Sequence, residues 1–199
     1  MSLGRKLLAS VLVCGLAVLI AGAATWSSFA STTANPSNGF SAGTVAISDN
    51  DAGATLSIPT LSPGGSSSGC IKVTYSGSLA SAVHMYASTT GSLAQYLNVT
   101  VTRGTQTSPT FPSCTGFAAD ATNYIGAGAG VMYSGTLANL ASTYTNFANG
   151  LVDAPGSPQT WSSGAAHSYM LTVSLPAGAP SAAQGLSSTA TFTWEAQNQ

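Results

Sequence analysis

Apolar and polar positions alternate with a period of two along most of this chain. In "CIKVTYSGSL", Ile71, Val73 and Tyr75 fall on one side and Cys70, Lys72 and Thr74 on the other. "AVHMYAST" sets Val83 and Met85 against His84 and Tyr86. "YLNVTVTRG" sets Leu97, Val99 and Val101 against Asn98, Thr100 and Thr102. Late in the chain, "SYMLTVSLP" aligns Tyr169, Leu171, Val173 and Leu175, and "STATFTWEA" alternates Phe192 and Trp194 with Thr191, Thr193 and Glu195. A period of two is the mark of a strand with one face buried. "GFSAGTVAIS" has the same character and breaks at the turn residues "DND". "ATLSIPTL" breaks at "SPGGSSSG".

One segment has a different period. "GTLANLASTYTNFANG" places Leu137, Leu140, Tyr144 and Phe147 at helical spacing between Gly135 and Gly150, with Thr136 as the expected N-cap. Residues 115–133 fit either a loop or a strand, and "VDAPGSPQTWSSGAAH" reads as a long loop. Short strands at regular spacing, punctuated by turns, predict an all-β fold: a jelly-roll-like antiparallel β-sandwich with one short helix.

The N-terminus adds a targeting signal. "GRK" precedes an apolar run of 18 residues over 7–24, which ends in small residues around "TWS". This is the pattern of a signal peptide over 1–27, with cleavage between Ser27 and Ser28. Cleavage after Ala23 or Ala30 also fits, and an uncleaved membrane anchor is the alternative. The domain plan is therefore a leader over 1–27, a Ser/Thr/Asn-rich segment over 28–39, and a sandwich over 40–199. Export places the protein outside the cell or on its surface.

Charge narrows the function. Only 5% of residues are charged. After loss of the leader, Lys72 and Arg103 face Asp49, Asp51, Asp120, Asp153 and Glu195. Two cations cannot neutralise a run of phosphates, so no nucleic-acid partner is expected. A surface with so little charge also repels copies of itself only weakly.

Of three cysteines, Cys14 lies in the leader without a lipobox around it. Cys70 and Cys114 remain as an even pair in an oxidising compartment, where a disulfide is the expected state. A two-cysteine metal site is the alternative, and the spacing offers it no further ligands.

Catalytic patterns are absent from the sequence. His84 and His167 stand far apart and outside any paired-histidine motif, so each is expected on a solvated polar face. No nucleophile elbow and no phosphate-binding loop is written here. "GAGAG" reads as a turn or kink. Asp49, Asn50 and Asp51 form a weak calcium candidate, too short for an EF-hand loop. No enzyme activity, cofactor or small-molecule substrate is expected.

The junction "TWSSF", the strand "FSAGTVAIS", the turn "LSPGG" and the closing "ATFTWEAQNQ" together resemble the TasA/camelysin family of exported bacterial proteins. The matching positions are Phe29, then Phe40, Ala42, Gly43, Thr44, Val45 and Ile47, then Leu61, Pro63 and Gly64, and the aromatic-Glu-Ala of the last strand. The resemblance implies processing by a SipW-type signal peptidase and assembly into filaments of a biofilm-type matrix. It implies that the N-terminal segment of one subunit pairs with the sheet of the next, anchored by Phe29 and Phe40. Some members are described as metalloproteases, an activity for which this sequence shows no ligand motif. The alternative class is a monomeric secreted or cell-surface binding module that uses Tyr86, Trp161 and Tyr169 as exposed aromatics.

Overall fold

A computed structural model describes residues 30–34, 45–51 and 61–198. The alternating segments become strands: β1 (Ala30–Ala34), β2 (Ile47–Asp49), β3 (Ser66–Tyr75), β4 (Ser81–Thr90), β5 (Asn98–Gln106), β6 (Phe117–Ala119), β7 (Val131–Thr136), β8 (Leu151–Val152), β9 (Ala166–Ser174) and β10 (Thr189–Asn198). They form two sheets, one in the order β1-β10-β4-β8 and one in the order β2-β3-β9-β5-β6, with β7 also pairing β5. Every pairing is antiparallel. From β3 to β5, and again from β8 to β10, the chain changes sheet at each step. This is an antiparallel all-β sandwich, the fold class that the alternation predicts.

The inward faces follow the sequence parity. Ile71, Val73 and Tyr75 of β3, Val83 and Met85 of β4, Val99 and Val101 of β5, and Tyr169, Leu171 and Val173 of β9 meet in one core with Trp194 and Ala196 of β10. Each large side chain covered in this way contributes about 1.5–3 kcal/mol from burial.

The outward face of the larger sheet is not wholly solvated. Cys70, Thr102 and Ser168 are buried there. The connection between β5 and β6 returns to β3, where Cys114 is disulfide-bonded to Cys70 with Cα atoms 5.0 Å apart. Its Pro112 carbonyl also accepts the Cys70 amide at 3.0 Å. Gln106 on β5 steadies this strap by donating to the carbonyls of Ser113 and Thr115.

Two local expectations change in detail. The helix, α1, spans only Leu137–Thr143. Thr136 caps it as expected, its side-chain oxygen accepting from the Asn139 amide. The apolar spacing runs on, but Tyr144 leaves the helical conformation at its C-cap, and Phe147 lies in an Asn-rich turn against His84. The ambiguous stretch 115–133 holds β6, a glycine-rich turn and the start of β7. Among the described residues no helix is long and apolar enough to cross a membrane.

Gly130 closes that turn with φ +71°, and its amide and carbonyl bond Thr122 and Arg103. A Cβ there would lie 2.4 Å from the Arg103 carbonyl oxygen. Gly130→Ala should therefore lower stability by more than about 2 kcal/mol, read by denaturant unfolding. A loss under about 0.5 kcal/mol would show that this turn does not constrain β5.

Candidate functional site

An edge strand exposes unpaired amides and carbonyls, which template the addition of another strand. Three strands of ten residues have an outer edge in this sandwich: β3, β4 and β10. Each is closed differently. Along β4, Ser81 and Trp161 exchange both main-chain bonds at 3.0 and 2.8 Å, Val83 accepts from Asp153, β8 pairs at His84 and Met85, and Ala87 donates to the Tyr144 carbonyl. Loop chain thus closes that edge over Ser81–Ala87. Along β3, β2 covers Val73 to Tyr75, Asn50 covers Lys72, and Pro112 covers Cys70.

β10 is different. It pairs with β4 over its whole length, from Thr189↔Thr90 to Asn198↔Ser81. On its other side the described partner is β1, in the register Ala30↔Gln197 to Ala34↔Thr193. β1 ends before Asn35-Pro36, where proline has no amide to give to a ladder. The segment expected to wait for a sheet edge is thus found on one, over Ala30–Ala34, and the edge belongs to its own chain. Ser27, Ser28, Phe29 and Phe40 lie outside the described residues.

The receiving strand is rigidly seated. Trp194 and Ala196 enter the core, with the Trp194 ring 5.2 Å from that of Tyr169. Trp194 Nε1 is buried without a hydrogen-bond partner among the described residues. On the other face Glu195 is buried, accepting from Tyr86 Oη at 3.0 Å and from Gln197 Nε2 at 2.9 Å. Trp194, Glu195 and Ala196 therefore form the middle of the edge that β1 covers.

The weak calcium candidate is a turn. Asn50 Oδ1 accepts the Lys72 amide at 2.8 Å, and Asp49 Oδ1 accepts the Asp51 amide at 3.2 Å. Asn50 Oδ1 is thus engaged in closing the β3 edge, and Asp49 Oδ1 in the local turn. No group of three or more His, Cys, Asp or Glu residues is arranged for a metal among the described residues.

A second feature lies where the two sheets are bolted together. Arg103 continues the inward parity of Leu97, Val99 and Val101, and is 3% exposed. All five of its donors are used. Nε bonds Asp153 at 2.9 Å. Nη1 bonds Asp120 and the Tyr124 hydroxyl, and Nη2 bonds Gln159 and His167 Nε2. Asp153 also accepts from Trp161 Nε1 at 2.8 Å and Tyr169 Oη at 2.7 Å. Two charges this deep are tolerated only when every polar atom is matched. Arginine cannot accept, so His167 Nε2 must be the acceptor and the imidazole proton sits on Nδ1, which has no partner among the described residues.

Three expectations are corrected here. Trp161 and Tyr169 are core residues, held by the carboxylate of Asp153, and Tyr86 is half-buried with its hydroxyl on Glu195. Trp161 and Tyr169 present no aromatic surface. His84 is not simply solvated: it stacks on Phe147 at 4.1 Å and its Nδ1 lies 2.7 Å from the Phe147 carbonyl oxygen. His167 belongs to the Arg103 cluster. The parity of β5 pointed to Arg103, since a charge at an inward position of a strand must find buried partners. Comparison with known protein families finds no match to this chain, and none of the curated proteins matches it.

Burial alone depresses the Arg103 pKa, but Asp153 and Asp120 outweigh it and hold the guanidinium charged. Burial raises the Asp120 carboxyl, and hydrogen bonds from Tyr124 and Arg103 more than reverse that. Burial and then Arg103 hold His167 below its usual 6.5. Below that pH the unfolded chain binds more protons than the folded one. The His167 contribution is complete above pH about 6.5 and is lost as pH falls through the folded pKa. Asp120, also lowered, adds a second loss below 3.8. Melting temperature should fall between pH 7 and 5, and less steeply in His167→Gln, whose amide oxygen offers Arg103 an acceptor. Equal slopes would contradict this. Asp153→Ala strips Arg103, Trp161 and Tyr169 of one partner and should cost about 3–5 kcal/mol at pH 7, read by chemical unfolding.

Proposed function

We propose that this chain is a secreted structural subunit of an extracellular fibre or biofilm-type matrix, and that it assembles by giving its N-terminal strand to β10 of the next subunit. The observation that carries the reading is the unequal closure of the long edges. β4 is closed by loop chain over Ser81–Ala87, and β3 over Cys70–Tyr75 by caps that belong to folded turns. The described cover of β10 is a five-residue strand at the end of the molecule. A strand held there by its main-chain ladder is exchangeable, because each such bond is worth only about 0.5–1.5 kcal/mol net.

The same ladder can form between chains. Strand addition to an exposed edge is an established mode of recognition, with main-chain bonds giving affinity and side-chain positions giving register. A strand given to one neighbour, while β10 takes one from the other, is a heterologous head-to-tail contact that does not close. An open filament follows. The low charge of the chain supports the reading, since like copies meet with little repulsion. The partner is another copy of this chain, and a SipW-type signal peptidase frees the N-terminus. The reading assigns no catalysis, cofactor, nucleic acid or small-molecule substrate.

Electron microscopy of the mature chain tests it. Protein beginning at Ser28 should form filaments, and protein beginning at Phe40 should stay folded and monomeric. A peptide of residues 28–39 in excess should bind the shortened protein and cap filaments of the full one. Phe29→Ala should weaken assembly while changing the monomer's melting temperature little. Identical filaments from the shortened protein would refute strand donation. Monodisperse particles from both proteins under all conditions would favour the binding-module reading.

A further inference from the structure

In an antiparallel strand, residues two apart turn their main-chain groups to the same edge. On β3 the odd residues face β9: the Tyr75 amide bonds Ala165, on the side of that neighbour. The even residues face outward. Lys72 gives its amide to Asn50 Oδ1 at 2.8 Å and its carbonyl to the Asn50 amide at 3.1 Å. Thr74 faces Ser48 on β2. The Cys70 amide bonds the Pro112 carbonyl at 3.0 Å. Beyond this point the strand continues as Ser66, Ser67, Ser68 and Gly69, paired with β9 on its inner side.

Sheet edges are commonly defended by charge, proline or a bulge. Residues 66–71 carry no charge and no proline. The defence stands instead on the strap. The Cys70–Cys114 disulfide and the two Gln106 bonds fix loop 107–116 so that Pro112, which has no amide to offer an incoming strand, lies over the edge.

We propose that this disulfide-anchored loop is an edge guard, and that its release frees Cys70 and so opens the continuous edge Ser66–Cys70 to antiparallel pairing with the same edge of a second copy. The occupant follows from the edge itself. Self-pairing of β3 is isologous, needs no partner of opposite charge, and matches polar, uncharged residues with one another. The guard rests on the assembly reading in one respect: it would keep β10 as the edge that accepts a strand, so that filaments grow end to end and do not associate sideways.

The test uses the full mature chain with Cys70→Ser and Cys114→Ser together, kept below the concentration at which wild-type protein assembles. Hydrogen exchange at the amide of residue 70 should speed up by at least about tenfold, while that of residue 72, held by Asn50, should change little. Sedimentation velocity should show dimers where the wild type is monomeric. Ser68→Pro, added to the double variant, removes an outward amide without touching the β9 ladder and should restore the monomer. Where the double variant fails to fold, Gln106→Ala loosens the same loop with the disulfide intact, and is read in the same way. Exchange unchanged at residue 70, faster exchange there with no dimer, or a dimer that survives Ser68→Pro would each overturn the proposal. None of these readings depends on whether the wild type forms filaments, so the guard and strand donation fail separately.

Discussion

Every long edge of this sandwich confronts the same constraint: a main-chain amide or carbonyl at the rim must be bonded, hydrated or offered to another chain. Much of the non-strand chain is spent on it. The carbonyls of Tyr144 and Trp161 and the amide of Asp153 close β4, while Asn50 and Pro112 close β3. These caps come from loops that are themselves held by the core, by a disulfide, or by the Arg103 cluster. The β10 edge is treated in another way, with a short strand from the N-terminus. Fold and proposed function are thus two answers to one problem, since an edge left to a detachable strand is an edge that a neighbour can supply.

The Arg103 cluster fits the same economy. With 5% charged residues, the chain has few charges to place, yet three of them stand together at Arg103, Asp120 and Asp153. Asp153 sits directly after β8, and its amide closes Val83 on β4. Its carboxylate reaches Arg103 on β5 and Tyr169 on β9. One residue therefore joins the sheets and seals an edge. Trp161 repeats the arrangement, donating its indole to Asp153 while its main chain pairs Ser81. The ionic bolt keeps in place the loop that prevents strand addition on the β4 side.

Much of the fold was legible because a half-buried strand writes its parity into the sequence. Val73, Val99, Leu171 and Trp194 all face the core as the alternation requires. Thr136 was legible as a cap because its chemistry is local. Features that depend on distant partners were not. Trp161 lies in a segment that reads as a loop, and only the buried Asp153 explains why it turns inward. His167 looked solvated because nothing local reveals Arg103 on the neighbouring strand. The helix stops at Thr143, short of its apolar spacing, and Phe147 stacks on the distant His84 ring, a partner no local pattern reveals. The pairing of Ala30–Ala34 with Gln197–Thr193 joins opposite ends of the chain, and no local pattern encodes it.

The central claim is that the β10 edge holds a neighbour's N-terminal strand in the polymer, in the register that β1 holds in the single chain. Two populations test it directly, one carrying Ala30→Cys and the other Gln197→Cys, positions that face each other across the ladder. They are mixed, assembled and oxidised, then run on a denaturing gel without reductant. The account predicts a covalent dimer made of one chain of each kind, abundant in the assembled mixture and absent when either population is oxidised alone. Assembled filaments that yield no such mixed dimer would contradict it.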